Sequence, residues 1–397
     1  PPAPPPPGSA RLALPGVMRA SAVPAYLLHG AVSPADRTVI VTNNDDAYRT
    51  ALVLLDAGLS VPAVIDARPV AKGELPEAVR ARGVRVLEGH GIAKVKGKKR
   101  VTGVSVCMQA GEGAEIETLE CEAVAMSGGW SPVVHLWSHC GGKLIWDEAQ
   151  AMFRPDTKRP PTGADGAAMV TATGAANGIL RDHDILADAH QAAGGKGTAP
   201  GAVCAAEEPM APVWIMPQGA GSQLRAKMWL DPQNDVKVSD VQLAAREGYE
   251  SVEHTKRYTT LGMATDQGKL SNINGLAVLS DALHQEIPAT GTTTFRPPYT
   301  PISFGAIAGE AREAIFQPLR RTPMHDWHEV HGAHWEPVGQ WRRPYCYLRT
   351  GEGVHDAVNR EIRNTRNAVG MLDASTLGKI IVRGPDAGRF LDMLYTN

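Results

Sequence analysis

The residues of this chain whose types and spacing could do chemistry fall in a few short stretches. The best organised runs from Arg37 to Arg68, RTVIVTNNDDAYRTALVLLDAGLSVPAVIDAR. An apolar β-branched run (Val39 to Val41) leads through a polar turn into an apolar-periodic segment closed by Gly58, and a second apolar run, Val61 to Ile65, ends in the carboxylate of Asp66. This is the grammar of a β-α-β dinucleotide-binding unit. In such units glycines let a pyrophosphate approach the helix amides, and an acidic residue about 20 positions on binds a ribose hydroxyl. Here the fingerprint positions fall on Thr42, Asn44 and Ala47, and only alanine is an accepted replacement. Asp45 and Asp46 stand at the helix start, where a carboxylate caps free amides and takes the role of a phosphate. The unit therefore reads as Rossmann architecture whose turn no longer holds a pyrophosphate. Asp66 has two readings, a ribose ligand or a plain strand-end aspartate.

Other stretches carry further candidates. Lys256, Arg257, Tyr258, Thr259, Asp266, Gln267 and Lys269 gather around one loop, and suit a flavin phosphate, a partner subunit or a self-satisfied hydrogen-bond network. His325, His328, His331 and His334 recur at spacing three, and imidazole is the commonest zinc ligand. Pro323 precedes that run, Gly332 interrupts it and no H-E-x-x-H occurs, so no metal site is expected. Ala123 to Ser127 reads as a buried strand breaking at a Gly-Gly turn, and Met169 to Thr173 as a strand whose Gly174 turn leads to a helix, Ile185 to Ala193. A β-α-β unit, an antiparallel meander, a strand with a glycine turn and a return to the first domain is the order seen in flavoproteins with two dinucleotide domains. Gly174, Ala175, Ala176 and Asn177 then either face a pyrophosphate or form an ordinary strand-to-helix turn.

The elements that must position these residues follow from length and pattern. At 397 residues the chain has room for two or three domains. With 40 basic against 42 acidic residues the net charge is −2, which gives no global field for nucleic acid or a membrane surface. Five cysteines without C-x-x-C pairs suit a reducing compartment, and no apolar run approaches the ~18 residues that span a bilayer, so the cytoplasm is the expected location. The Pro-rich opening and the abrupt end at Asn397 read as cuts in a longer protein, whose last apolar residues, Ile380 to Val382 and Leu391 to Leu394, would lack packing partners. After a helix over Ala20 to Leu28, the opening unit and a helix from Pro76 to Arg82, a meander is expected in Val84 to Lys96, Val101 to Met108 and Ile116 to Glu120. Its tip carries Lys94, Lys96, Lys98, Lys99 and Arg100, which read as a solvated turn ahead of an anion site. Helices are expected through Glu247 with Ser239 as cap, over Val252 to Leu261 with Ser251 as cap, and over Asn274 to Leu283, with an extended Thr292 to Pro301. Further on come a helix from Val354 to Thr365, strands at Ala368 to Asp373 and Lys379 to Val382, and a helix from Pro385 to Leu394. The domain reading is a disordered 1–15, a Rossmann-like region over 16–200, a small helical domain over 201–310 and a further domain from 311. The second dinucleotide domain occupies 30–150 and the return to the first 165–195.

Several blocks together resemble the alpha subunit of heterotetrameric sarcosine oxidase: TNNDDAYRTAL, MSGGWSPVVHL with GGKLIWDE, KRYTTLGMATDQGK, TTTFRPPYTPISFGA, TPMHDWH and VGMLDASTLGKIIVRGPDA. The last of these, continuing to Asn397, is similar to the opening of the glycine cleavage T protein, an aminomethyltransferase. The resemblance implies an α/β, Rossmann-like two-dinucleotide-domain flavoprotein architecture, then a small helical domain and the start of an α+β folate-binding domain over 311–397. It implies sarcosine demethylation to glycine, with the one-carbon unit passed to tetrahydrofolate and hydrogen peroxide released. Beta, gamma and delta subunits would be the partners. NAD and tetrahydrofolate belong to alpha, and FAD and a covalent FMN mainly to beta. Leu377 falls where the family lines the folate pocket with an apolar residue, and the family's catalytic aspartate lies beyond Asn397. Relatives hold an iron–sulfur cluster in the helical domain, but Cys204 is its only cysteine here, so no cluster is expected. Two alternatives stay open: a catalytically silent scaffold, and the large subunit of an amino-acid or opine dehydrogenase.

Overall fold

The computed structural model describes residues 14–396, so the Pro-rich opening stretch lies outside the described residues apart from Leu14 and Pro15. The chain divides into two units, one ending at Pro301 and one beginning at Ile302.

In the first unit β1 (Val17–Arg19) and α1 (Ala22–Gly30) precede the opening β-α-β unit of β2 (Thr38–Thr42), α2 (Asp46–Asp56) and β3 (Ala63–Asp66). Then come α3 (Glu74–Ala81), β4 (Arg85–Glu88), a meander of β5 (His90–Gly97), β6 (Val101–Met108) and β7 (Glu117–Glu120), and the returning β8 (Ala123–Ser127). Five strands form a parallel sheet in the order β1-β8-β2-β3-β4. A parallel sheet is covered on both faces, which is why its strands are continuous apolar runs rather than alternating ones. Alternation along β2 sends Val39 and Val41 into the cluster shared with the meander (Ile92, Val95, Val104, Val106). Ile40 goes to the other face, against Tyr48, Ala51 and Leu54 of α2 and Leu75 and Val79 of α3. Each buried Ile, Leu or Val of this kind contributes about 1.5–3 kcal/mol.

The stretch expected as one meander strand, Val84 to Lys96, is two. Gly89 takes φ +68°, which few other residues accept, and its amide bonds to the Arg68 carbonyl. Before this break Arg85–Glu88 joins the parallel sheet, and after it His90–Gly97 joins the meander.

The rest of the first unit holds α4 (His135–His139), a hairpin of β9 (Leu144–Asp147) and β10 (Met152–Pro155), a 3-10 turn (Gly174–Asn177) and α5 (Asp182–Ala192). After α6 (Ser222–Arg225) follow β11 (Trp229–Asp231), β12 (Val236–Lys237), α7 (Val238–Arg246), α8 (Val252–Thr259), α9 (Asn272–Leu283) and α10 (Ile287–Thr290). Their apolar faces meet in a third core, with Met228, Val238, Val241, Leu261, Leu276 and Leu279. Two expectations fail here. Met169 to Thr173 forms no strand, because no neighbouring strand among the described residues pairs with it. Ser239 is not a cap but lies inside α7, whose entry is fixed by Asp240 accepting from the Lys237 amide at 2.8 Å.

The second unit has α11 (Phe304–Ala308), β13 (Arg320–Arg321), α12 (His325–Val330), β14 (Ala333–Val338), β15 (Trp341–Tyr347), α13 (Val354–Asn367) and α14 (Ala387–Leu394). The β14–β15 hairpin was not expected. Conversely, the strands expected at Ala368 to Asp373 and Lys379 to Val382 do not form, and Ile380 and Ile381 stand 90% and 73% exposed. Among the described residues no helix is long and apolar enough to cross a membrane.

Leu54 is fully enclosed beneath the sheet. Leu54→Ala is expected to cost about 2–5 kcal/mol, read as a lower urea midpoint at unchanged slope; a cost below about 1 kcal/mol would mean the helix face is not packed as described.

Candidate functional site

Open parallel sheets bind ligands in the crevice beyond the carboxyl ends of their strands. Here that edge is made by Asn43 to Asp46 after β2, Asp66 to Arg68 after β3, and Ser127 to Trp130 after β8. The Asn44 side chain organises the first turn. Its oxygen accepts from the Asp46 amide at 3.2 Å and its nitrogen donates to Ser127 Oγ at 3.0 Å and Asn43 Oδ1 at 2.8 Å. The expected caps, Asp45 and Asp46, do not serve the helix amides, and Asp45 makes no capping bond at all.

Asp45 is diverted by a tertiary partner. Arg68 Nη2 donates to Asp45 Oδ1 at 2.7 Å and to Asp66 Oδ2 at 2.7 Å, while Arg68 Nε donates to Asp66 Oδ1 at 3.1 Å. The Tyr48 hydroxyl donates to Asp66 Oδ2 at 2.8 Å. The Arg68 side chain is 4% exposed and both aspartates are fully enclosed. Burial opposes the Arg68 charge, but hydrogen bonds and attraction from Asp66 and Asp45 outweigh it and hold the guanidinium above its usual range. Burial, then the Asp66 charge, pushes the Tyr48 phenol far above its own.

A strap of the same chain covers this network. The Glu208 amide donates to Asp45 Oδ2 at 2.7 Å, Ala211 N to the Asn43 carbonyl at 3.1 Å, and Asn43 Nδ2 to the Ala211 carbonyl at 2.7 Å. Glu207 reaches Arg49 at 2.5 Å. Asp45 is thus turned to Arg68 and the strap, and a cavity of about 340 Å³ lies over this turn, lined by Asn44, Asp45, Trp130, Arg181 and Glu207 to Met210, among others. The Asp66 oxygens, weighed as a ribose ligand, are already engaged by Arg68 and Tyr48. Beside the strap lies a cavity of about 350 Å³ lined by Asp46, Arg49, Trp130, Ala175, Arg181, Asp182, Cys204 and Glu207, among others. Burial raises the Asp46 carboxyl, Arg49 opposes that, and Glu207 and Asp182 add to it. The wall sets Asp46, Asp182 and Glu207 against Arg49 and Arg181.

The other candidates are dispersed. At the 174–177 turn, the Gly174 amide and Thr173 Oγ1 both donate to Asp188 Oδ2, at 2.7 and 2.8 Å, while Ala175 lines the cavity. On α8, Lys256 is half-buried, Arg257 pairs with Glu253 at 3.4 Å, Tyr258 stacks on Tyr249 with ring centres 4.5 Å apart, and Thr259 Oγ1 donates to the Thr255 carbonyl. Lys269 sits on a different loop, its Nζ 3.8 Å from the centre of the Tyr299 ring and bonded to the Tyr299 and Asp266 carbonyls. Sequence reasoning missed Asp231, buried in this region, whose oxygens take the amides of Gln233, Asn234 and Gly262.

In the second unit the four histidines do not converge. Gly332, at φ +76°, ends the helical run, His334 passes into β14 and His331 stacks on Trp327. His325, Asp326 and Glu329 bring ligand atoms within 4.8 Å of one another, but Arg342 stands 3.7 Å from Glu329 as a competing cation. His328 instead joins Tyr347 and Asp373, a grouping the sequence did not signal because the three come from separate elements. Leu377 is 58% exposed and closes a turn through its amide, which donates to the Ala374 carbonyl at 3.0 Å.

The fold defines the class: a Rossmann-like α/β architecture followed along the chain by the beginning of an aminomethyltransferase-type domain. Residues 225–310 match the sarcosine oxidase A3 domain and residues 324–397 the GCVT N-terminal domain. Over 96% of its length the chain is homologous, at 40% identity, to the sarcosine oxidase subunit alpha of Corynebacterium sp. (strain P-1), and it belongs with those alpha subunits. It spans about 40% of the length of that relative. A segment of 79 residues is 40% identical to an aminomethyltransferase of Mycobacterium leprae, covering 20% of this chain and 19% of that protein. Among solved structures, L-proline dehydrogenase from P. horikoshii shares the fold at a TM-score of 0.52 and 16% identity, over 76% of this chain and 56% of that one.

Removing one member of a buried ion network strands the others. Arg68→Met is expected to destabilise the first unit by about 3–5 kcal/mol. Chemical denaturation checks this, and a loss under about 1 kcal/mol would show that the guanidinium does not hold the two aspartates.

Proposed function

We propose that this chain is part of the alpha subunit of a sarcosine-oxidising flavoprotein complex, and that it supplies scaffold and one-carbon acceptor side rather than the oxidising centre. The observation that carries this reading is the 40% identity over 96% of the chain to sarcosine oxidase alpha subunits. The A3 and GCVT matches support the same order of domains. In the reaction, a C–H bond of the sarcosine N-methyl group gives up a hydride and the nitrogen lone pair closes to an imine. A flavin on a partner subunit would take the hydride and pass its two electrons to oxygen, giving hydrogen peroxide. The imine carbon then goes to tetrahydrofolate, with glycine as the other product, or is hydrolysed to formaldehyde. Enclosure near the acceptor raises effective concentration and excludes water, which decides between those fates.

On this reading beta, gamma and delta subunits complete a heterotetramer in the cytoplasm. The candidate contact for the flavin-bearing partner is α8, with Arg257 and Tyr258 exposed and Lys256 half-buried. The resemblance assigns NAD to Gly174 to Asn177, where the Gly174 amide is held by Asp188, and the folate pocket to Leu377. The closed edge at Asp45, Arg68 and Asp66 favours a purely architectural second dinucleotide domain, so the silent-scaffold reading survives for that domain alone.

The full-length subunit, expressed with its partner subunits, is expected to copurify with bound flavin and to consume oxygen on addition of sarcosine. Adding tetrahydrofolate should lower the formaldehyde released per peroxide formed. Isolation as a stable monomer without a flavin-bearing partner, or no sarcosine-dependent oxygen uptake, would overturn the assignment.

A further inference from the structure

The second unit contains a buried polar relay that none of the roles above uses. His328 Nε2 lies 2.9 Å from Asp373 Oδ2, and His328 Nδ1 lies 2.6 Å from the Tyr347 hydroxyl. The His328 and Asp373 side chains are 5% and 7% exposed. Asp373 Oδ1 accepts from the Ser375 amide at 2.9 Å. Burial would raise the Asp373 carboxyl, but hydrogen bonds from Ser375 and His328 outweigh it and hold it well below the ordinary carboxylate range. The carboxylate is therefore ionised at neutral pH, and the proton it shares with the imidazole sits on Nε2. In the neutral ring Nδ1 is left to accept from Tyr347, so the tautomer is fixed from both sides.

The relay ends on a turn with no helix or strand of its own. Residues 373–379 close on themselves through Leu377 N to the Ala374 carbonyl at 3.0 Å, and through Lys379 Nζ to the Ala374 and Ser375 carbonyls at 3.1 and 2.7 Å. Leu377, at the end of this turn, is 58% exposed. The base of the turn is tied by Asp373 to α12, and through Tyr347 to β15. The Tyr347 amide is in turn bonded to Glu361 of α13 at 2.8 Å. An apolar filler would pack this space without charge, whereas a satisfied polar network fixes one orientation of its members.

We propose that His328 is a positioning residue for the folate pocket, clamping Asp373 and through it the turn that presents Leu377. This rests on the folate reading of the preceding subsection.

The test uses the full-length subunit in its assembled complex, measuring methylene transfer to tetrahydrofolate as that acceptor is varied. His328→Phe keeps a ring of similar size but removes both hydrogen bonds. It should raise the KM for tetrahydrofolate on the order of tenfold with kcat at saturation largely kept, because a displaced contact weakens binding more than chemistry. His328→Gln, which restores a donor toward Asp373, should recover most of the loss. Asp373→Asn should shift KM in the same direction, and combining it with His328→Phe should add little. An unmoved KM in His328→Phe, or a glutamine variant no better than phenylalanine, overturns the positioning role. Should His328→Phe fail to assemble, Asp373→Asn decides on the same KM criterion. A wild-type complex indifferent to tetrahydrofolate overturns the folate reading and this proposal with it, whereas a folate-dependent wild type with unmoved variants overturns the proposal alone.

Discussion

A guanidinium held between two buried carboxylates is the constraint on which the nucleotide-like half of this chain depends. Arg68 cannot be left unpaired in a side chain only 4% exposed, and neither Asp45 nor Asp66 can be left without it. Their mutual satisfaction fixes the start of α2 relative to the end of β3. It also turns Asp45 so that its second oxygen receives the Glu208 amide. The strap then lies across the sheet edge, where Asp45 faces the chain's own Arg68 and Glu208 amide.

Much of this was legible in the sequence, and the reason is physical. A doubly covered parallel strand is apolar along most of its length, so β2, β3 and β8 announce themselves as short runs with polar residues only at their ends. The missing glycines of the turn were visible too. The destination of Asp45 was not visible, because its partner lies 23 residues away in sequence and meets it only once both strands are paired. Locally an aspartate at a helix start reads as a cap. Here Asn44 caps and Asp45 makes the ion pair.

The misread strands share a cause. An apolar run becomes a strand only when a neighbour supplies hydrogen bonds. Met169 to Thr173 and Ala368 to Asp373 carry the pattern without a paired neighbour among the described residues. The converse happens at β4, where a glycine in the left-handed region hands half of an expected meander strand to the parallel sheet. Of the candidate site, residue types were readable but groupings were not. The histidine run looked like one cluster and is dispersed over a helix, a turn and a strand, while the contact that matters most to His328 comes from Asp373, 45 residues on. The polar loop around Lys269 is likewise drawn into its own carbonyls and Tyr299.

In the first unit Arg68 ties Asp45 to Asp66, and in the second His328 ties Tyr347 to Asp373. The central claim is that the sheet edge at Asp45, Arg68 and Asp66 holds no dinucleotide. Its most direct test is a crystal structure of the assembled complex soaked with NAD. The account predicts the Arg68 pairs with Asp45 and Asp66 intact and the strap in place, with any NAD density elsewhere. Phosphate density beside Asp45 and Asp46, with the strap displaced, would contradict it.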